Sequence, residues 1–487
     1  MADSKIDFSP RNLLINGKWV SSSNGKTFPT INPATEEKIT DIAEATNEDV
    51  DRAVKSARAA LEGPWGKMST RDRAKIVWRI GDLLLQKIDE VAALETMDNG
   101  KPIFESRYID VPESANCFHY YAGWSTKFGG ETIPISPNSF NYTLREPVGV
   151  VAAITPWNFP LILTSWKVAP ALAMGNTIVL KPASWTPLTA LKLGEICQEA
   201  GLPEGVMNVI TGPGGSVGMA LVTHPGVDKI AFTGETTTGK AIMKAGADTL
   251  KKISLELGGK SPNVVFADAD LDAAAKGASI GIFYGKGEVC AAGSRLFVEK
   301  KVHDQFMDKL LSRVEKLKPG DPMDPKTRFG AIVAKSQMEK VLEYVEIGKK
   351  EGGNLIFGGN RADIGTGKGY FVNPTVFDQV ECKMRIAQEE IFGPVLATIP
   401  FEDVDDAIVK ANDTIYGLAA GVWTRDMKKA HHFAQKVKAG TIWVNTYNQY
   451  DASSPFGGYK QSGFGRELGS QALEHYTQTK TVWVDLS

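Results

Sequence analysis

The feature that most limits the fold of this chain is a long alternation of strand-like and helix-like segments. Apolar runs at 148–154, 177–180, 206–210 and 229–233 predict strands, and 166–173, 186–200 and 215–223 predict helices between them. A second series begins after Gly258, with strands at 263–266, 294–298, 397–400, 420–423 and 441–445. Its helices are expected over 271–282, 303–317, 335–352, 404–413 and 427–437. Such alternation favours parallel sheets with right-handed crossovers, so the expected class is α/β, in two units. Upstream, 47–61 predicts a helix capped by Thr46 or Asn47, and 70–97 one or two more. Two strand-like pieces, 128–145 around Ser136-Pro137-Asn138-Ser139 and 479–484, fall outside these series and read as an assembly ribbon.

Composition narrows the function. The chain has 487 residues, 43% hydrophobic and 23% charged, with a net charge of −2. These are values of a globular protein, and no basic excess points to nucleic acid or an anionic membrane. The first residues are polar, without an apolar signal segment, and the apolar stretch 157–174 is broken by Asn158, Pro160, Lys167 and Pro170. A cytoplasmic location is therefore expected. There are 4 cysteines, Cys117, Cys197, Cys290 and Cys382, too few for a disulfide framework and without metal-ligand spacing. No metal is expected, and the open question is which thiol is reactive.

Cys290 stands between Gly287-Glu288-Val289 and Ala291-Ala292-Gly293, small residues that let backbone and substrate come close. A thiolate there can attack an aldehyde carbonyl, although a free cysteine is more often buried packing. The other three cysteines lack glycine neighbours and read as packing. Glu256 ends an alternating stretch just before Gly258-Gly259, where a carboxylate can face a cleft. Asn158 follows a Pro-Trp turn after an apolar strand, and its amide can donate to an oxyanion, although a loop asparagine is more often a turn former.

Five segments set these residues in one context. They are Thr155-Pro156-Trp157-Asn158-Phe159-Pro160, Leu255-Glu256-Leu257-Gly258-Gly259-Lys260, Gly287-Glu288-Val289-Cys290, Glu389-Glu390-Ile391-Phe392-Gly393-Pro394, and Pro455-Phe456-Gly457-Gly458-Tyr459-Lys460 with Gly465-Arg466-Glu467. In this order they resemble the aldehyde dehydrogenase superfamily over nearly the whole chain, in its NAD(P)-dependent, hydrolytic branches. The resemblance implies Cys290 as nucleophile, Glu256 as general base and Asn158 with the Cys290 N–H as oxyanion donors. It implies a proton relay through Lys167 and Glu467. Residues 1–124 and 148–258 would form a Rossmann-like cofactor domain, 259–458 the catalytic domain, and 125–147 with 470–487 the oligomerisation ribbon of a dimer or tetramer.

An aldehyde-derived intermediate must lose a hydride, so a nicotinamide acceptor is expected, NAD or NADP. The pyrophosphate would meet the turn from Phe232-Thr233-Gly234 into a helix over 236–239. By resemblance, Trp157, Lys181, Gly234, Gly239, Leu257, Glu390 and Phe392 would hold the cofactor, with Lys181 on the adenosine ribose and Glu390 and Phe392 on the nicotinamide ribose. Three residues depart from the family pattern. Ser184 replaces a glutamate that would repel a 2′-phosphate, so use of NADP, alone or beside NAD, is expected. Glu235 replaces a serine at the phosphate turn, where a carboxylate must point away or cap the helix. Glu288 replaces a glutamine, and a carboxylate close to the thiol would raise its pKa.

Phe159, Trp166, Tyr450 and Phe456 would line the substrate tunnel, favouring an aliphatic or aromatic aldehyde. Betaine aldehyde dehydrogenases usually carry tryptophan in place of Phe456. Semialdehyde dehydrogenases of aromatic breakdown need a cation in the tunnel, and the sequence identifies none. Retention of Cys290, Glu256 and Asn158 together argues against a non-catalytic structural relative, and a CoA-acylating member usually lacks the base, so Glu256 favours hydrolysis to the free acid.

Overall fold

The computed structural model describes residues 9–487, so most of the polar stretch Met1–Arg11, from Met1 to Phe8, lies outside the described residues. Two large sheets carry the fold. The first has eight strands in the order Lys18–Val20, Leu13–Ile15, Met207–Val209, Thr177–Lys181, Val150–Ile154, Lys229–Thr233, Lys252–Glu256 and Gly463–Phe464. Its five central strands are parallel. Val150–Ile154 comes first in sequence among them and sits between its successors on both sides, so the winding direction reverses beside it. Ligands of open α/β sheets gather outside the strand C-termini at such a reversal, here next to Ile154 and Thr233.

The second sheet runs Asn354–Phe357, Thr375–Asp378, Val395–Phe401, Arg295–Glu299, Pro262–Val265, Ala419–Trp423 and Thr441–Val444. It is parallel except for its first pair. Its middle strands are fully buried, as strands covered on both faces by helices must be. A separate antiparallel sheet joins Thr477–Asp485, Ser139–Pro147 and Thr132–Ser136, with nine paired positions between the first two. It carries Phe140 and Trp483 exposed, the latter at 65%.

Most expected elements form within two or three residues of their expected ends. Asn47–Glu62 is capped by Thr46, whose hydroxyl accepts from the Asp49 N–H while the Asp49 carboxylate accepts from the Thr46 N–H. The expected 70–97 segment divides at Lys87 into Thr70–Gln86 and Ile88–Asn99. One helix differs more. The expected 166–173 run is a helix from Pro160 to Ala173, buried along its whole length. Pro160 occupies the first turn, where its missing N–H costs nothing, so the proline that interrupts the apolar run starts the helix. The helix Val111–Trp124 and the N-terminal strands were absent from the sequence reading. Val111, Ala115, Phe118 and Ala122 are nevertheless spaced at three or four residues and all buried, a pattern that marks the helix.

Candidate active site

The two sheets meet in opposite senses. The first presents its strand C-termini, with Glu256 as the last residue of one strand and Asn158 in the loop after another. The second presents strand N-termini, with Gly258-Gly259 leading into Pro262–Val265 and the Cys290 loop leading into Arg295–Glu299. The seam is close. A Cβ on Gly259 would lie 2.5 Å from the Cys290 carbonyl oxygen, so only glycine lets these segments touch. Across the same seam, Asn158 Nδ2 donates to the Glu288 carbonyl at 2.9 Å. That bond uses one N–H of the amide and leaves the other to donate elsewhere.

Cys290 is partly exposed, whereas Cys117 and Cys197 are sealed in helices. Burial, with the Glu256 and Glu390 carboxylates nearby, pushes the Cys290 thiol up to about 12, against the pull of the Ala291 and Cys290 N–H groups. The Glu288 departure does not act as expected. Its carboxylate is held 2.9 Å from Lys286 Nζ and accepts from the Val333 N–H at 3.1 Å, so the charge is engaged away from the thiol.

Glu256 is 4% exposed and, among the described residues, neither carboxylate oxygen has a hydrogen-bond partner. Burial and the Glu467 carboxylate raise its pKa well above the usual range, opposed by Lys167 and Arg466. Two orphaned oxygens on a buried acid are unusual, and they suit a group whose partner is a transient proton or water. Behind it, Lys167 Nζ donates to Thr233 Oγ1 at 2.6 Å and forms an ion pair with Glu467. Glu467 also exchanges both backbone hydrogen bonds with Phe456, at 2.7 and 2.8 Å. The expected relay residues and one expected tunnel ring thus share a single bridge.

On the other side of the seam, Glu390 accepts from the Gly259 N–H at 2.9 Å, and burial raises its pKa to about 7. Phe392, in the left-handed region at φ 59°, packs edge-on against Trp157 with 5.0 Å between ring centres. Lys181 is buried, with its pKa lowered to about 8. Its ammonium donates to the Pro182 carbonyl at 3.0 Å, its single hydrogen bond among the described residues. Ser184 donates to the Gly212 carbonyl at 2.8 Å. Glu235 is exposed at the N-cap of Thr236–Gly246 and its side chain does not cap the helix. The N–H groups of Gly234 and Gly239 are already bonded, to the Glu256 and Glu235 carbonyls, and Gly239 packs on Leu257, so these glycines offer room rather than donors.

A cavity of about 500 Å³ opens to Cys290 and is lined by Phe159, Trp166, Tyr284, Tyr450 and Phe456. Trp166 and Tyr450 both pack on Phe456, with ring centres 5.6 and 5.5 Å away, and Phe159 stacks on Tyr284. All four expected tunnel residues are therefore brought together. Of the five expected catalytic residues, Cys290 alone lines the cavity; Asn158, Glu256, Lys167 and Glu467 lie off it. Tyr284, Ile109 and Leu163 line it as well, though their spacing in the sequence does not mark them. The sequence identifies no cation in the tunnel; the structure places Lys276 on its lining, together with Glu113 and Asp451. Lys276 is exposed, a position on the helix Leu271–Phe283 that sequence spacing does not distinguish from any surface lysine. Among the described residues no cluster of acidic, histidine or cysteine side chains suits a metal ion, and no helix is long and apolar enough to cross a membrane.

Comparison with known proteins agrees with this geometry. The aldehyde dehydrogenase family model matches residues 19–482. A mitochondrial aldehyde dehydrogenase of Homo sapiens is 47% identical over 97% of this chain and 91% of its own. A mitochondrial aldehyde dehydrogenase of Arabidopsis thaliana is 50% identical over 98% of this chain and 88% of its own. The NAD+ complex of an aldehyde dehydrogenase from Bacillus cereus superposes with a TM-score of 0.96 at 50% identity, covering 98% of this chain and 97% of that one. The chain belongs to the aldehyde dehydrogenase family and is an NAD(P)-dependent aldehyde dehydrogenase.

Proposed function

We propose that the enzyme oxidises an aliphatic or aromatic aldehyde to the free carboxylic acid through covalent intermediates on Cys290. The Cys290 sulfur, its proton passed to the Glu256 carboxylate, adds to the carbonyl carbon and forms a thiohemiacetal. The developing oxyanion accepts from the free N–H of Asn158 Nδ2 and from the Cys290 N–H. When bound, NAD(P)+ supplies the hydride acceptor that turns the thiohemiacetal into a thioester. Glu256 then takes a proton from water, the resulting hydroxide adds to the thioester carbonyl, and the Cys290 thiolate leaves as the acid forms. The raised pKa of Glu256 makes its carboxylate a stronger proton acceptor than an ordinary one. Lys167 and Glu467 carry off each proton that Glu256 takes, first the thiol's and then the water's, so its carboxylate is free again for each step. One observation carries this mechanism: Asn158, Cys290 and Glu256 come from three separate segments and converge on one seam, with the Glu256 oxygens left unpaired.

The chain's own residues fit the cofactor. Lys181 keeps donors free for ribose hydroxyls, Glu390 stands at the seam, and Trp157, Phe392 and Leu257 give apolar walls. The helix at Thr236 leaves first-turn N–H groups uncapped by a side chain, which suits a pyrophosphate. Ser184 presents no carboxylate, so NADP is accepted beside NAD. Of the expected 1–124 and 148–258, the described residues 9–124 with 148–258 form the cofactor domain, and 259–458 the catalytic domain; residues 1–8 lie outside the described residues. The sheet bearing Phe140 and Trp483 joins subunits into a dimer or tetramer.

For the substrate, the cavity has aromatic walls, with Lys276 outweighed by Glu113 and Asp451. An anionic tail is therefore disfavoured. A panel of aldehydes graded in size and charge, each assayed with NAD and NADP, tests the reading. The highest kcat/KM is expected for neutral apolar aldehydes. Dominance of an anionic semialdehyde would contradict it.

A further inference from the structure

The residues around Asn158 form a closed ring that the reaction itself does not use. Asn158 Nδ2 donates to the Glu288 carbonyl at 2.9 Å. The Glu288 carboxylate faces Lys286 Nζ at 2.9 Å. Lys286 Nζ donates to Asn99 Oδ1 at 2.6 Å and to the Asn99 carbonyl at 3.0 Å. Asn99 Nδ2 donates back to the Trp157 carbonyl at 2.8 Å and to the Asn158 carbonyl at 3.4 Å. Both charged side chains are 1% exposed, and Asn99 is fully buried.

The backbone is bent to make this ring. Gly285, Lys286 and Gly287 all have φ between 56° and 74°. For Lys286, which is not glycine, such a conformation is disfavoured, and it persists only where surroundings hold it. The ammonium has three N–H bonds and meets three oxygens: Asn99 Oδ1, the Asn99 carbonyl and the Glu288 carboxylate. A buried pair of this kind contributes little net stability, and its common use is to fix one geometry.

We infer that Lys286 and Glu288 are positioning residues that set the Asn158 amide for the carbonyl oxygen, through Asn99 on one side and the Glu288 carbonyl on the other. This rests on the oxyanion role proposed for Asn158. The pair ties the nucleophile loop to the Trp157-Asn158 loop, so the two oxyanion donors keep a fixed separation. It also explains why the carboxylate of Glu288 is tolerated one residue from Cys290's neighbour Val289: its charge belongs to Lys286.

Steady-state kinetics on the full-length enzyme with NAD(P)+ and a turned-over aldehyde tests this. Glu288→Gln and Lys286→Gln each strand one buried charge, and kcat should fall about 10-fold or more with both KM values within about threefold. The double variant K286Q/E288Q restores a neutral hydrogen-bonding pair and should return kcat to within about threefold of the parent. In an Asn158→Ala background, Glu288→Gln should lower kcat less than about twofold, because the group it positions is gone. If Asn158→Ala alone leaves kcat unchanged, the oxyanion role itself fails. If Asn158→Ala slows the enzyme and Glu288→Gln costs as much there as in the parent, the positioning role is overturned while the oxyanion role stands. Parental kcat in both single variants would also overturn it. Should a single variant fail to fold, K286Q/E288Q against K286M/E288M decides: the amide pair should be at least about 10-fold faster, and equal rates would overturn the inference.

Discussion

Asn158 Nδ2 and the Glu288 carbonyl oxygen are 2.9 Å apart, on loops that belong to different sheets. That bond fixes which end of the Asn158 amide meets the Glu288 carbonyl. A carbonyl requires a donor, so the NH₂ group must stand there and its second N–H is free for the substrate oxygen. Asn158→Ala should therefore lower kcat by about 10²–10³. Aldehyde KM should change little. Stopped-flow measurement of NAD(P)H formation checks this, and a drop confined to KM would place Asn158 in binding alone.

Glu256→Gln removes the base but keeps the shape. Steady-state turnover should fall by about 10²–10⁴. If thioester hydrolysis becomes limiting, rapid mixing will show a burst of about one NAD(P)H per site before the slow phase. Loss of the burst as well would mean that Glu256 is needed mainly to activate the thiol.

Glu390 gives a pH dependence. Burial raises its pKa to about 7, so it is ionised above that pH and protonated below. An ionised carboxylate accepts from ribose hydroxyls better than an acid does. Cofactor KM should rise as pH falls through about 7, and Glu390→Gln should flatten that profile. A parent profile that is flat between pH 6 and 8 would count against the contact, those limits being set at about one unit either side.

Ser184 gives a specificity test. Ser184→Glu restores the carboxylate that opposes a 2′-phosphate, and kcat/KM with NADP should drop by about 10-fold or more relative to NAD. Parent and variant assayed with both cofactors decide it. A parent enzyme that fails to turn over with NADP would remove the premise.

The fold was legible because both sheets write themselves as buried β-branched runs separated by helices of ordinary length. What the sequence obscured has physical causes. Pro160 reads as a breaker until its place at the helix start is known, which is why the helix carrying Trp166 and Lys167 looked half its length. Lys276 reads as surface, and only the packing of its helix over the cavity brings it to the tunnel. Glu288 reads as a threat to the thiol, since the left-handed turn at Lys286 that folds its counter-ion onto it is invisible in a one-dimensional pattern. The site motifs were legible as motifs. The unpaired oxygens of Glu256 and the bridge between Phe456 and Glu467 arise from tertiary contacts alone.

The central claim is that the aldehyde carbon becomes bonded to the sulfur of Cys290. Acid quench of the Glu256→Gln enzyme, mixed with a turned-over aldehyde and NAD(P)+, followed by peptide mass spectrometry, tests it directly. An acyl group on the peptide containing Cys290, absent when Cys290 is alanine, is the predicted result. A Cys290 that stays unmodified while the Glu256→Gln enzyme shows an NAD(P)H burst, or a Cys290→Ala enzyme that still produces NAD(P)H at the parental rate, would contradict the account.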